Sequence, residues 1–280
     1  MKQKTIYISD LDGTLLGTDS RISQRSASII DELSVRGALV TVATARTPAT
    51  VVPLLAGIST NAPAIVMTGC ARWERADACF SHVHFVPSAE VIGALDICRC
   101  CGVHPFVYVM ADDDATLDVY HGAPVLNKAE ENFWSERCNL PLKRFHLGTP
   151  APPRALHRSM LFYGMGPEEP VRRAAEAFRQ HSECSVCCYP DIFNPHVYNL
   201  EIFPPGVSKA TAVQSLKESC GADRLVVFGD SLNDLPMFEV ADMAVAVGNA
   251  LPEVKEAAHL VIEPNYTDAV ARFIEKDFES

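Results

Sequence analysis

Near both ends of the chain, short unbroken apolar runs alternate with stretches of helical spacing. The runs Ile6–Ile8, Ala38–Ala43, Ala64–Met67, Leu225–Phe228 and Met243–Val247 carry no internal polar alternation, the pattern of strands buried on both faces. Between them, Ile29, Ile30 and Leu33 supply the apolar stripe of a helix capped at Ser23 and closed by Gly37. Pro48 opens another helix, Ser208 caps one running to about Cys220, and a last amphipathic helix spans Tyr266 to Phe278. Strand, helix, strand in this order predicts a right-handed parallel sheet, so the expected class is α/β with a Rossmann-like, doubly wound core.

From about His84 the texture changes. Helical spacing over Ser88–Cys101, strands at His104–Met110 and Thr116–Tyr120 around an Asp112–Asp114 turn, and a helix over Glu168–Gln180 read as an α+β unit inserted in the parallel domain. Further strands follow at Cys184–Tyr189 and Val197–Phe203, and the α/β texture resumes at Pro204. The predicted division is a core of residues 1–83 and 190–280 with a cap of residues 84–189, and hinges near 82–86 and 188–196.

The 280 residues are 48% hydrophobic, enough for a sizeable core. A formal charge of −11 argues against nucleic acid or an anionic membrane surface as partner. The start MKQKT runs straight into the first strand, so no signal peptide is expected, and no apolar run is long enough to span a bilayer. Ten cysteines allow half a zinc site at Cys184-x-x-Cys187, but no second clear pair completes it. Reduced cysteines in a cytoplasmic protein are the expectation.

Two of the apolar strands stop at an aspartate, Asp10 and Asp230. Adjacent at the point where strand order reverses, they would converge in one crevice, with Asp12 and Asp234 adding more acid. Clustered carboxylates need a cation between them, and oxygen donors favour Mg²⁺ over zinc. Lys209, near a helix start, offers a fixed positive charge, and Thr44, after the second strand, a hydroxyl. Each residue also has a plain alternative: an acidic turn at Asp10-Leu11-Asp12-Gly13, a helix cap at Thr44 or Asn233-Asp234, a solvated lysine at 209. Carboxylates, a hard metal, one lysine and one hydroxyl together suit phosphoryl transfer.

The ordered set resembles the haloacid dehalogenase superfamily of phosphohydrolases. Asp10-Leu11-Asp12-Gly13-Thr14-Leu15 looks like its first motif, Thr44 its second, Lys209 in Gly206-Val207-Ser208-Lys209 its third, and Gly229-Asp230-Ser231-Leu232-Asn233-Asp234 its fourth. The insertion is similar to the large α/β cap of the Cof-type sugar-phosphatase branch. Two positions depart from that branch: Ala45 stands where glycine is usual, and Thr68-Gly69 where Asn-Gly is frequent.

The resemblance implies a Mg²⁺-dependent phosphatase acting on small phosphate esters, sugar phosphates first. In it Asp10 is the nucleophile that becomes an aspartyl-phosphate, and Asp12 the general acid and base. Magnesium is held by the Asp10 carboxylate, the Asp12 carbonyl and Asp230, with Asp234 in support. Thr44, Lys209 and Asn233 bind phosphate, and Arg46 lies at the substrate rim. The implied partner is a small molecule, not nucleic acid or membrane, and the chain is expected as a monomer or weak homodimer. A phosphomutase, which needs basic cap residues for a second phosphate, and a non-catalytic binding protein are the alternatives.

Overall fold

The computed structural model describes residues 3–191, 194 and 196–280. The chain divides into two compact units, Met1–Ser81 with Ser208–Ser280, and His82–Val207.

In chain order, the first unit begins with β1 (Thr5–Ser9), α1 (Gln24–Val35), β2 (Leu39–Val42), α2 (Pro48–Leu54), β3 (Ala64–Val66), β4 (Ala71–Glu74) and β5 (Cys79–Ser81). The second unit follows with α3 (Ser88–Cys101), β6 (Phe106–Met110), β7 (Leu117–His121), α4 (Lys128–Ser135), β8 (Lys143–Leu147), β9 (Ser159–Gly166), α5 (Glu168–His181), β10 (Ser185–Pro190) and β11 (Tyr198–Phe203). The chain then returns to the first unit through α6 (Lys209–Ser219), β12 (Arg224–Gly229), α7 (Leu235–Glu239), β13 (Met243–Ala246), α8 (Pro252–Ala257), β14 (Leu260–Val261) and α9 (Ala269–Glu279).

The first unit is built on a parallel sheet of order β14-β13-β12-β1-β2. A single parallel bridge, Ala43 to Ile65, carries the sheet on to β3, which turns back in the antiparallel ribbon β3-β4-β5. From β1 the chain steps one way to β2, and from β12 it steps the other way to β13 and β14. Right-handed crossovers in opposite directions put helices on both faces. Accordingly α1 packs with α9, and α6 with α7. Ile6, Ile8, Val226, Val227 and Phe228 are fully buried, as continuous apolar strands require. Ser23 caps α1 by accepting from the Ser26 N–H, as its position predicted.

The second unit is a mixed sheet of order β10-β11-β9-β6-β7-β8. Helices α3 and α5 cover one face, over a core of Val107, Val109, Phe162, Phe178, Leu200 and Ile202. Cys98, Cys101 and Cys184 belong to that core. The predicted second boundary, between residues 189 and 190, differs from the observed one. Strands β10 and β11 are antiparallel partners, with Ser185 opposite Phe203, and β11 also pairs with β9. Hydrogen bonding therefore keeps β10 and β11 with the mixed sheet. Residues 192, 193 and 195 of the expected hinge lie outside the described residues. Among the described residues no helix is long and apolar enough to cross a membrane.

Candidate active site

Strand order reverses between β1 and β12, and both candidate aspartates emerge there. Ser9 is opposite Phe228, and the Asp10 N–H donates to the Phe228 carbonyl at 2.9 Å. Asp10 follows the last residue of β1 and Asp230 the last of β12, at the carboxyl edge where open α/β sheets bind ligands. Carboxylate oxygens of Asp10, Asp230 and Asp234 lie within 4.8 Å of one another.

The turn after β1 is shaped for this approach. Leu11 and Leu15 are buried and hold it down, while Gly13 adopts φ +76°. A Cβ there would be strained by the backbone and would come 2.8 Å from Asp230 Cγ, so only glycine lets the turn close on that carboxylate. Thr14 donates to Asp230 Oδ1 at 2.8 Å, and Asn249 donates to the Gly13 carbonyl at 2.7 Å. Thr14 stands in the first motif with no role of its own read from the sequence, and Asn249, a lone polar residue after β13, carries no sequence signal.

Lys209 is the first residue of α6, whose cap is Ser208 paired with Thr211. The side chain is buried, and its Nζ donates to Asp10 Oδ1 at 2.6 Å and Asp234 Oδ1 at 2.7 Å. The α6 start is seated by an unusual loop in which Met67, Thr68 and Gly69 all have positive φ. A Cβ at Gly69 would come 2.6 Å from the Ser208 carbonyl oxygen. Gly69 is thus required for close approach, and Thr68 carries the strain beside it.

Asp234 is fully buried, and its oxygens are taken up by the protein. Oδ2 accepts from the Asp230 and Ser231 N–H groups at 3.0 and 3.1 Å, and Oδ1 accepts from Lys209. Its geometry is that of a brace which fixes the Asp230 loop and orients Lys209. Thr44 is buried one residue after Ala43, whose N–H donates to the Ser9 carbonyl. Its hydroxyl accepts from the Arg46 N–H at 3.1 Å, leaving the hydroxyl hydrogen to donate elsewhere. Asn233 is exposed, and its Oδ1 accepts from the Ser231 hydroxyl at 2.5 Å. The half-exposed Asp12 carboxylate is gripped by Arg46, Nε to Oδ2 at 2.7 Å and Nη2 to Oδ1 at 2.6 Å.

Burial pushes the Asp10 carboxyl up to about 7, with Asp234 and Asp230 adding to the push and Lys209 opposing it. Burial also raises Asp230, to about 6, against the Thr14 hydrogen bond. Burial works against the charge on Lys209, but Asp10 and Asp234 outweigh it and its pKa is raised. One ammonium thus answers two carboxylates and leaves the third unneutralised. The donors are all oxygen, and a hard divalent cation between Asp10 and Asp230 fits both the chemistry and the surplus charge.

The sequence model of the haloacid dehalogenase-like hydrolases matches residues 7–274. The chain belongs to that family. It is 26% identical over 286 residues to a putative phosphatase of Haemophilus influenzae, an alignment covering 99% of each chain. It is 27% identical over 269 residues to the 5-amino-6-(5-phospho-D-ribitylamino)uracil phosphatase YcsE of Bacillus subtilis, covering 95% of this chain and 92% of that one. The fold matches the crystal structure of a haloacid dehalogenase-like hydrolase from Bacteroides thetaiotaomicron with TM-score 0.77 and 22% identity, over 99% of this chain and 100% of that one. It also matches a subclass IIB sugar phosphatase with TM-score 0.71 and 20% identity, over 99% of each. The protein is therefore an enzyme, a hydrolase of this family.

Proposed function

We propose that this hydrolase is a Mg²⁺-dependent phosphatase of small phosphomonoesters, working through an aspartyl-phosphate on Asp10. The observation that carries this reading is the buried Lys209 ammonium held between Asp10 and Asp234, with Asp230 converging on the same point. That arrangement aims one carboxylate and keeps a cation beside it for a phosphoryl group.

In this reading the Asp10 and Asp230 carboxylates and the Asp12 carbonyl would hold Mg²⁺, with Asp234 supporting them through the Asp230 backbone. Bound there, it would supply positive charge for the phosphoryl oxygens and the nucleophile. An Asp10 oxygen forms the new bond to phosphorus as the ester P–O bond breaks. Asp12, released from Arg46 and protonated, gives its proton to the departing alkoxide. It then takes a proton from water, whose oxygen attacks phosphorus and frees Asp10 and inorganic phosphate. Thr44 and Lys209 donate to the transferring phosphoryl group, and Asn233 contacts phosphate from the rim. Arg46 belongs to this set, as the residue that holds Asp12 before substrate arrives.

Sugar phosphates lead the substrate class, and the name of the relative YcsE adds a ribitylamino-uracil phosphate of the same chemical type. The test is a panel of such esters, with pyridoxal phosphate, flavin mononucleotide and nucleotides, assayed with and without Mg²⁺. Wild type should release phosphate only with the metal, and Asp10→Asn should release none. Substantial turnover by Asp10→Asn would remove the nucleophile assignment. A hexose 1-phosphate converted to its 6-phosphate, with no free phosphate, would make the protein a mutase instead.

A further inference from the structure

The mixed-sheet unit buries a cation that no carboxylate among the described residues answers. Lys143 opens the edge strand β8 opposite Leu117 and is 7% exposed. Its Nζ lies 5.2 Å from the Tyr108 ring centroid and 5.9 Å from that of Phe145. Among the described residues it has no hydrogen bond and no ion pair. Burial brings its pKa down to about 7, and the nearby Arg137 acts in the same direction.

Such a group is a burden on the fold. An unpaired ammonium is among the most unfavourable groups to bury, and a methionine of similar length would pack against the same rings without that penalty. The ring contacts offset only part of that penalty. The neighbouring Tyr108 is also buried, and its hydroxyl likewise has no partner among the described residues. Neither polar atom is sealed in: the fully enclosed, unpartnered side-chain polar atoms among the described residues are His121 Nδ1 and Ser159 Oγ. An amine and a phenol thus stand together without a hydrogen-bond partner among the described residues; the Arg137 guanidinium acts on both, and the buried Glu201 carboxylate acts on the phenol alone.

We propose that Lys143 and Tyr108 form an anion-binding site of the mixed-sheet unit, taking the carboxylate or phosphate group of a small molecule. Lys143 supplies the charge, the Tyr108 hydroxyl donates a second hydrogen bond, and Arg137 adds to the positive potential. Binding brings the missing counter-charge, so it draws a proton onto Lys143. The site is a binding statement and does not depend on hydrolysis at Asp10.

The test is competitive trace acetylation of the full chain at pH 7, read by peptide mass spectrometry, with the exposed Lys128 as internal reference. The probes are inorganic phosphate, D-gluconate and, as neutral control, D-glucose, at matched ionic strength. Phosphate or gluconate should slow acetylation of Lys143 about tenfold relative to Lys128 by protonating it, and glucose should not. Protection by phosphate alone assigns the site to phosphate groups, and protection by gluconate alone to carboxylates. A Lys143 rate unchanged by both anions overturns the proposal. A second measurement uses Lys143→Met, which should melt above wild type without added anion. A lower melting temperature would mean that the ammonium is already answered within the fold, and would equally overturn it.

Discussion

Arg46 holds Asp12 in a two-pronged grip, Nε and Nη2 each on a different carboxylate oxygen at 2.7 and 2.6 Å. The hydrogen bonds to Asp12 raise the arginine pKa further, so the guanidinium keeps its charge in this grip. A carboxylate held this way cannot donate a proton. In the proposed mechanism Arg46 would have to let go before Asp12 could act as an acid, and an incoming phosphoryl group is the natural competitor for its fork. Arg46→Ala should lower kcat/KM about tenfold or more on a sugar phosphate. Arg46→Lys should not restore it, because an ammonium cannot span both oxygens. Full rescue by lysine, measured as kcat/KM on glucose 6-phosphate, would show that only the charge matters.

Lys209 is the one cation touching both Asp10 and Asp234 among the described residues. Lys209→Met keeps the length of the side chain and removes the charge. It leaves two buried carboxylates facing each other, an uncompensated arrangement that typically costs about 3–5 kcal/mol. The variant should therefore lose activity and also melt well below wild type in buffer without metal. Mg²⁺ should restore part of the melting temperature but none of the turnover. A variant as stable as wild type in metal-free buffer would argue against a buried ion pair.

Much of this site was legible in the sequence because parallel strands bury both faces. Such strands read as continuous apolar runs, so their ends, and the aspartates at those ends, stand out at Asp10 and Asp230. The cap boundary was not legible, since nothing in the composition of Tyr198–Phe203 says that its partners are β10 and β9. Helix α4 and strand β8 were also missed. Lys143-Arg144-Phe145-His146-Leu147 is an edge strand with only weak alternation, and α4 is short. The Arg46 grip depends on how the Thr44–Thr47 turn aims a long side chain, which no spacing encodes. Asp234 could be seen as one more acid, but only its hydrogen bonds reveal a brace.

Asp230 illustrates a site that is held against its own stability. Burial raises its carboxyl to about 6, so at neutral pH the charged form is a net burden on the metal-free fold. Asp230→Asn keeps an oxygen for the Thr14 hydroxyl and removes the charge. The metal-free variant should melt above wild type by about 2–4 °C, the shift that ~1 kcal/mol gives in a chain of this size. It should also lack the melting-temperature rise that Mg²⁺ is expected to give wild type. A Mg²⁺ response of wild-type size in Asp230→Asn would take Asp230 out of the metal set.

Glu201 offers a pH readout within the mixed-sheet unit, outside the candidate active-site residues. It lies on β11, where burial raises its carboxyl to about 7, against a hydrogen bond from Tyr189 that favours the charged form. The folded-state pKa stands above the unfolded one, so the ionised form destabilises. That penalty is absent below the ordinary carboxylate range, grows as pH rises towards 7, and is complete above it. Glu201→Gln removes it while keeping an acceptor for the Tyr189 hydroxyl. The variant should match wild type in thermal melts near pH 4.5 and exceed it at pH 8, with the gap opening between those values. Parallel melting curves across that range would mean that Glu201 titrates alike in the folded and unfolded chains.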